Sequence, residues 1–535
     1  MKELKLHQTL LSTSILLVLA ACGGGSNTAQ GPDTNPPDTT PPPVALQEFA
    51  TKVAACSTGD TPESGLQGQV PAALRASGFK GFNCNLQLIG QVQGEGGNWS
   101  SATFRDKAGH RCAYHATLTP TKTRQTPGVP VIDITNPAAP QRITSLTSKA
   151  MLDPWESLRV NAKRQLLVAD NGTNSTGGPD FDVYDLSQDC RSPQLMSSIA
   201  LSYDTGKSDA PEKPINGHEG TISPDGLTYY VGDYTNYKYH AIDITNPARP
   251  KLIATFDMTT ESPIATRPHG LSVSPDGNRV YAVADRATPP LSEIQDPNIA
   301  LNGFLVLDTS EIQARKPNAQ MHIISATAFK DGSSAQHTIE TKIGGKPYMV
   351  MVDEGGSGGL GDPNSVKSAC ALGMAPFPMA RIYDMADEKN PKLVSKLGLE
   401  THDAKNCDTI LPDISGLSIF TYGSHYCSVD NRENATAMAC SYFNSGIRVF
   451  DIRNPQQPKE IAYYNPKSPS SVPGSSQVSF GNWREGGPDW CASRLDFDKE
   501  TGTLTTMCQG NGLLVMKFQE GTWPFSESIA STLQN

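Results

Sequence analysis

Residues 269–285 read His-Gly-Leu-Ser-Val-Ser-Pro-Asp-Gly-Asn-Arg-Val-Tyr-Ala-Val-Ala-Asp. Apolar side chains alternate on both sides of Pro275-Asp276-Gly277, the pattern of strand, tight turn, strand. His218-Glu-Gly-Thr-Ile222-Ser-Pro-Asp-Gly226 repeats it, and diverged copies begin at Glu156, His337, His425 and Ser493. Between these hairpins a second phrase recurs: Val131-Ile-Asp133, Val183-Tyr-Asp185, Ala241-Ile-Asp243, Val306-Leu-Asp308, Ile382-Tyr-Asp384 and Val449-Phe-Asp451, its Asp positions 52, 58, 65, 76 and 67 residues apart. Each is an apolar strand ending in an Asp able to hydrogen-bond the backbone of the following turn. Short strands such as Lys251-Leu-Ile253 and Lys392-Leu-Val394 come after it. Two hairpins per unit make a four-stranded antiparallel sheet, and such sheets repeated at periods above about 40 residues are the signature of a β-propeller.

Six Asp-ended phrases and a seventh, Leu514-Val-Met-Lys517, predict an all-β, seven-bladed β-propeller of four-stranded antiparallel blades over residues 85–520. Asn85-Leu-Gln-Leu-Ile89-Gly resembles the outer strands, so residues 85–94 are expected to supply the outermost strand of the last blade and close the ring. Ahead of them, Leu46, Phe49 and Val53 at helical spacing and Pro71 before Ala72-Ala-Leu74 predict a short helical cap over 44–84. Residues 521–535 read as a C-terminal tail.

Composition agrees with a turn-rich fold. The chain has 535 residues, 18% of them charged, with 47 Gly and 41 Pro, which argues against coiled coils and long helical bundles. A mean hydropathy of −0.38 excludes a polytopic membrane protein. A net charge of −10 argues against nucleic acid as a partner, because phosphate binding needs a local excess of Lys and Arg.

The N-terminus reads as an address. Lys2 and Lys5 precede an apolar run over 10–21 that is too short to span a bilayer and ends in small side chains, as a cleaved signal does. Leu19-Ala-Ala21-Cys22 resembles the lipobox of bacterial lipoproteins, which implies a signal peptide over 1–21, acylation of Cys22 and attachment to a membrane of the cell envelope. Gly23 at the next position resembles lipoproteins sorted to the outer membrane, with either the periplasmic or the surface face open. Residues 22–43, rich in Gly and then Pro, form the tether. Removing Cys22 from the 11 cysteines leaves an even number, expected to pair in an oxidising compartment. Cys427 with Cys440 and Cys491 with Cys508 flank polar turns and suit adjacent strands, and Cys56 with Cys84 closes the N-terminal segment.

The repeat resembles the LVIVD-repeat family of bacterial and archaeal cell-surface proteins, most closely in the copies containing Asp133, Asp243 and Asp451, and the Pro-Asp-Gly hairpins resemble those of NHL and YVTN propellers. The resemblance implies a lipid-anchored binding or interaction module whose propeller face meets a protein, glycan or small-molecule ligand. Selenium-binding proteins, a more distant likeness, are propellers with copper at histidines; no extended motif is shared.

Stepping back four residues from the apolar anchor of each inner strand gives Ser100, Glu156, His218, His269, His337, His425 and Ser493. Four of the ten histidines thus share one repeat position, with a carboxylate in the preceding blade, and innermost strands line a propeller's central channel. Neutral imidazoles with a carboxylate suit Cu, Zn, Fe, Ni or Mn. The expected site is therefore His218, His269, His337, His425 and Glu156 at one channel mouth, with a transition metal as cofactor and a redox enzyme or small-molecule binder as the alternative function. His110 and His115 are placed on an outer strand, Gly355 to Gly361 lacks the Lys-Ser or Lys-Thr of a phosphate loop, and the Asp-rich stretches 170–182 and 204–209 lack EF-hand spacing.

Overall fold

The computed structural model describes residues 51–117, 123–172, 178, 180–286, 302–357, 359–417, 419–474 and 487–525. Seven antiparallel sheets of the expected kind are present. Blade one is Ser101–Arg105, Arg111–His115, Val129–Asp133 and Gln141–Leu146; blade two is Arg159–Asn161, Leu166–Asp170, Phe181–Asp185 and Gln194–Ile199. Blade three is Glu219–Ile222, Thr228–Asp233, Lys238–Asp243 and Lys251–Asp257; blade four is Leu271–Val273, Arg279–Ala284, Asn302–Asp308 and His322–Phe329. Blade five is Ser333–Ile343, Lys346–Gly355, Ala380–Asp384 and Lys392–Leu397. Blade six is Ser424–Val429, Ala437–Tyr442, Ile447–Asp451 and Lys459–Asn465, with Phe82–Cys84 added as a fifth strand. Blade seven is Asp496–Asp498, Thr503–Cys508 and Gly512–Phe518, and Leu86–Val92 pairs with the last of these as its outermost strand.

The Asp-ended phrase is the third strand of blades one to six, and its aspartates do what their chemistry allows. The Oδ1 atoms of Asp133, Asp185, Asp243, Asp308, Asp384 and Asp451 each accept the backbone N–H two residues on, at 2.8–3.0 Å. That bond turns the chain toward the outer strand, where every blade carries a β-bulge. The apolar faces pack blade against blade, from the cluster of Leu167 and Tyr184 between blades one and two to that of Met507 and Ile132 between blades seven and one.

Five disulfides are formed. Cys56–Cys84, Cys427–Cys440 and Cys491–Cys508 are the three pairs read from the sequence. Cys112–Cys190 ties blade one to blade two, and Cys370–Cys407 joins helix Pro363–Ala371 to helix Cys407–Ile414 in the loops above blade five. In the expected cap, the described residues of 51–84 hold one helix, Ala72–Ala76, while Val53 follows a parallel bridge between Lys52 and Lys459 instead of lying on a helix. This segment is fastened to blade six by an ion pair of Glu63 with the buried Arg448, which also meets Glu460 at 2.7 Å. His115 is on the second strand of blade one and His110 in the turn before it, nearer the core than the outer strand expected for them. The signal, Cys22, the tether and the end of the tail lie outside the described residues. Among the described residues, no helix is long and apolar enough to cross a membrane.

Candidate metal centre

Glu156 enters the axis from a β-turn in which Ser157 N donates to Pro154 O, just ahead of the inner strand of blade two. Its carboxylate is the hub of the candidate site. His218 Nε2 is 3.2 Å from Oε2, His269 Nε2 3.6 Å from Oε2, and His425 Nε2 3.3 Å from Oε1. Glu156, His218 and His269 each bring one ligand atom within 4.8 Å of the others, and His425 stands outside that group on the other carboxylate oxygen. An ion bound at about 2.1 Å holds tetrahedral ligands roughly 3.4 Å apart, so the three suit one ion. Oε2 is buried and accepts no hydrogen bond, although two imidazole nitrogens face it. Such an orphaned carboxylate oxygen is a place for a cation.

The imidazoles are oriented from behind. His269 Nδ1 lies 2.9 Å from Gln336 O and 3.1 Å from Glu219 Oε2, and His425 Nδ1 lies 2.5 Å from Ala492 O. Acceptors on Nδ1 hold a proton there, so Nε2 is the atom turned to Glu156 and would ligate a metal ion on giving up its own proton. Gly270 makes the first of these arrangements possible, because a side chain at that position would collide with the Glu219 carboxylate. Gly217 likewise lets the chain before His218 press against Asp170.

Charge follows the same pattern. Burial opposes ionisation of Glu156, but His218, His269 and His425 gathered around it outweigh that and hold the carboxyl well below its usual range. Burial also opposes a charge on His269, yet Glu156, Glu219 and Glu354 push it up to about 10. His425 rises to about 9 against burial, through its hydrogen bonds to Glu156 and Glu354. A buried imidazole that prefers a positive charge beside carboxylates sits where a metal cation is also favoured.

His337 is not brought into this group. The inner strand of blade five has a bulge between Ala335 and His337, so Gln336 points to the axis, with Nε2 3.1 Å from Glu156 Oε1 and 3.0 Å from His425 Nε2. In blade six the bulge falls between Ser424 and Tyr426, and His425 itself is the residue turned inward. Counting back from the apolar anchor misses the difference of one residue, and bulges re-aim side chains in this way. His337 instead donates its Nε2–H to Cys427 O, 3.2 Å away, and burial pushes its pKa down to about 3. Ser100 and Ser493 are buried at the same repeat position without a part in the cluster.

Sequence reasoning also missed Glu354, at the end of the second strand of blade five, with Oε2 3.2 Å from His425 Nε2. It missed Glu219, next to His218, which receives Arg159 at 3.1 Å, Arg494 and His269. It missed the rings around the mouth as well: Trp99 lies 5.0 Å from the His425 ring, and Tyr234 stacks on His218 at 4.8 Å.

Among the described residues, one other group gathers three candidate ligands, Asp106, Asp189 and Cys190. Cys190 is bonded to Cys112 and offers no thiolate, and Asp106 is engaged by the N–H groups of Ala108, His110 and Cys190. It is a turn anchor.

No family model matches the chain, and no curated protein matches it. Among solved structures it is similar to a putative 6-phosphogluconolactonase from Bacteroides uniformis, at 11% identity and a TM-score of 0.47, over 77% of this chain and 94% of that one. It is similar to the β-propeller domain of Cps50 (Swd1) from Myceliophteria thermophila, at 10% identity and a TM-score of 0.45, over 81% and 99%. It is similar also to the periplasmic gluconolactonase of Pseudomonas aeruginosa, at 12% identity and a TM-score of 0.43, over 75% and 94%. Likeness at this level carries no residue role or activity to this chain.

Proposed function

We propose that the protein is a lipid-anchored binding propeller of the bacterial cell envelope that holds a transition-metal ion at the axial mouth. The observation that carries the reading is the convergence of His218, His269 and His425, each through Nε2, on the single carboxylate of Glu156. Two imidazoles and a carboxylate, Glu156 with His218 and His269, suit Cu, Zn, Fe, Ni or Mn, and His425 with Glu354 adds a further imidazole and carboxylate at the edge. Such an ion would supply a Lewis-acidic centre for a small molecule at that face. The chain's own contribution is to aim His269 through Glu219 and Gln336 O and His425 through Ala492 O, and to bury both rings. The envelope location rests on the lipobox-like Leu19-Ala-Ala21-Cys22 and the LVIVD-like phrases, and five disulfides fit an oxidising compartment.

Protein purified without a polyhistidine tag is expected to contain about one equivalent of one of these metals, and a His218→Ala, His269→Ala double variant none. Metal-free protein that takes up no ion on reconstitution would contradict the reading. Labelling of the wild type with radioactive palmitate, lost in Cys22→Ser, tests the anchor separately.

A further inference from the structure

His218 Nε2 is committed twice. It faces Glu156 Oε2 at 3.2 Å, and it accepts the indole Nε1–H of Trp155 at 3.3 Å. One lone pair cannot serve both an N–H and a metal ion. An ion bound by His218 therefore displaces the Trp155 N–H, which must then find another acceptor or lose a hydrogen bond at a partly buried position.

The place of Trp155 says what that acceptor is. Its backbone is held at φ +47°, and Phe420 at φ +53° shares this unfavourable left-handed conformation on the same rim. Bulky aromatic residues rarely adopt it, and such outliers cluster at ligand sites. Trp99, buried with Phe443 and Trp490, lies between them, 5.8 Å from the Trp155 ring and 6.3 Å from that of Phe420, so the partly exposed Trp155 and Phe420 rings form an apolar side of the mouth backed by an aromatic cluster. The other side is polar and cationic: Arg267 donates to Tyr234 Oη at 2.6 Å and lies 4.4 Å over its ring, beside His218. A molecule on the ion thus meets a freed N–H donor, a nearby guanidinium and a flat apolar wall.

We propose that Trp155 passes its indole N–H from His218 to a ligand on the ion, and that the ligand is a small carboxylate with an apolar or aromatic body. The carboxylate oxygen binds the ion and accepts from Trp155 Nε1, and the body lies against Phe420. This inference rests on the metal reading above, and its test separates the two. Zinc and benzoate are the probes, with acetate as the control that lacks a ring. In protein carrying ¹⁵N-labelled tryptophan, the indole signal absent from Trp155→Phe is expected to move when zinc is added and again with benzoate. Trp155→Phe is expected to take up zinc at least as tightly as the wild type, having lost a competitor for His218, and to bind benzoate about tenfold more weakly. Acetate is expected to bind at least tenfold more weakly than benzoate to the wild type. Trp155→Tyr, which also lacks the indole N–H, serves if the phenylalanine variant does not fold. Zinc uptake with an unmoved Trp155 signal, or benzoate binding unaffected in both variants, would overturn the inference while leaving the metal site standing. A wild type that takes up no zinc overturns both.

Discussion

The inner strands of blades four and five each bring one histidine close to the axis, and burial does not distinguish them, since His269 is 2% exposed and His337 0%. Their partners do. His269 lies between the carboxylates of Glu156 and Glu219 and is pushed up to about 10, whereas His337, with a backbone carbonyl and the ring of Tyr426 against it, is pushed down by burial to about 3. One is a charged member of a polar cluster and the other a neutral piece of packing. The same side chain at equal depth therefore takes on the character of what faces it, and a one-residue bulge decides what that is.

The largest expected difference is in metal content. His269→Ala should lose its ion during purification, while His337→Ala keeps it and is destabilised by about 2–4 kcal/mol, the range for emptying a packed buried site. Metal analysis and denaturant titration of both variants check this, and equal metal loss would place His337 back at the site. A smaller effect separates orientation from ligation. Glu219→Gln removes the charge behind His269 and should weaken metal binding by about 10–100-fold without abolishing it, as measured by competition with a chelator.

A third effect belongs to His337 alone. Its folded pKa of about 3 is below the roughly 6.5 of an unfolded chain, so between these values the unfolded state binds a proton that the folded state does not. The stability it contributes is complete above about pH 6.5 and is lost as the pH falls toward 3, by at most about 1.4 kcal/mol per pH unit. In His337→Gln the decline between pH 6 and 4 should be shallower by that amount, read from denaturation midpoints; an unchanged slope would mean that His337 is not held neutral.

The ring was legible because its signals are local. A Pro-Asp-Gly turn and an Asp that caps its own turn act within a few residues, and all six aspartates make the bond that their position suggests. The likeness of Asn85 to Gly90 to the outer strands has its cause in Leu86–Val92 lying beside Gly512–Phe518. Within the site, Glu156, His218, His269 and His425 were visible as a repeat position, but the place of His337 depends on strand regularity, which residue spacing assumes and a bulge breaks. Glu219, Gln336 and Glu354 come together only through the closure of the ring, from blades three and five, and no periodicity marks them. Trp155 was hidden for another reason: its role depends on a backbone angle, and a bulky residue gives no sign in sequence of adopting φ +47°.

The central claim is that one ion is held by Glu156, His218 and His269, with His425 across the carboxylate, and not by His337. X-ray data from crystals of the untagged protein, collected on both sides of the absorption edge of the metal found by elemental analysis, test it directly. The account predicts a single anomalous peak among the Nε2 atoms of His218 and His269 and the carboxylate of Glu156. A difference map without a peak there, or with one beside His337, would contradict it.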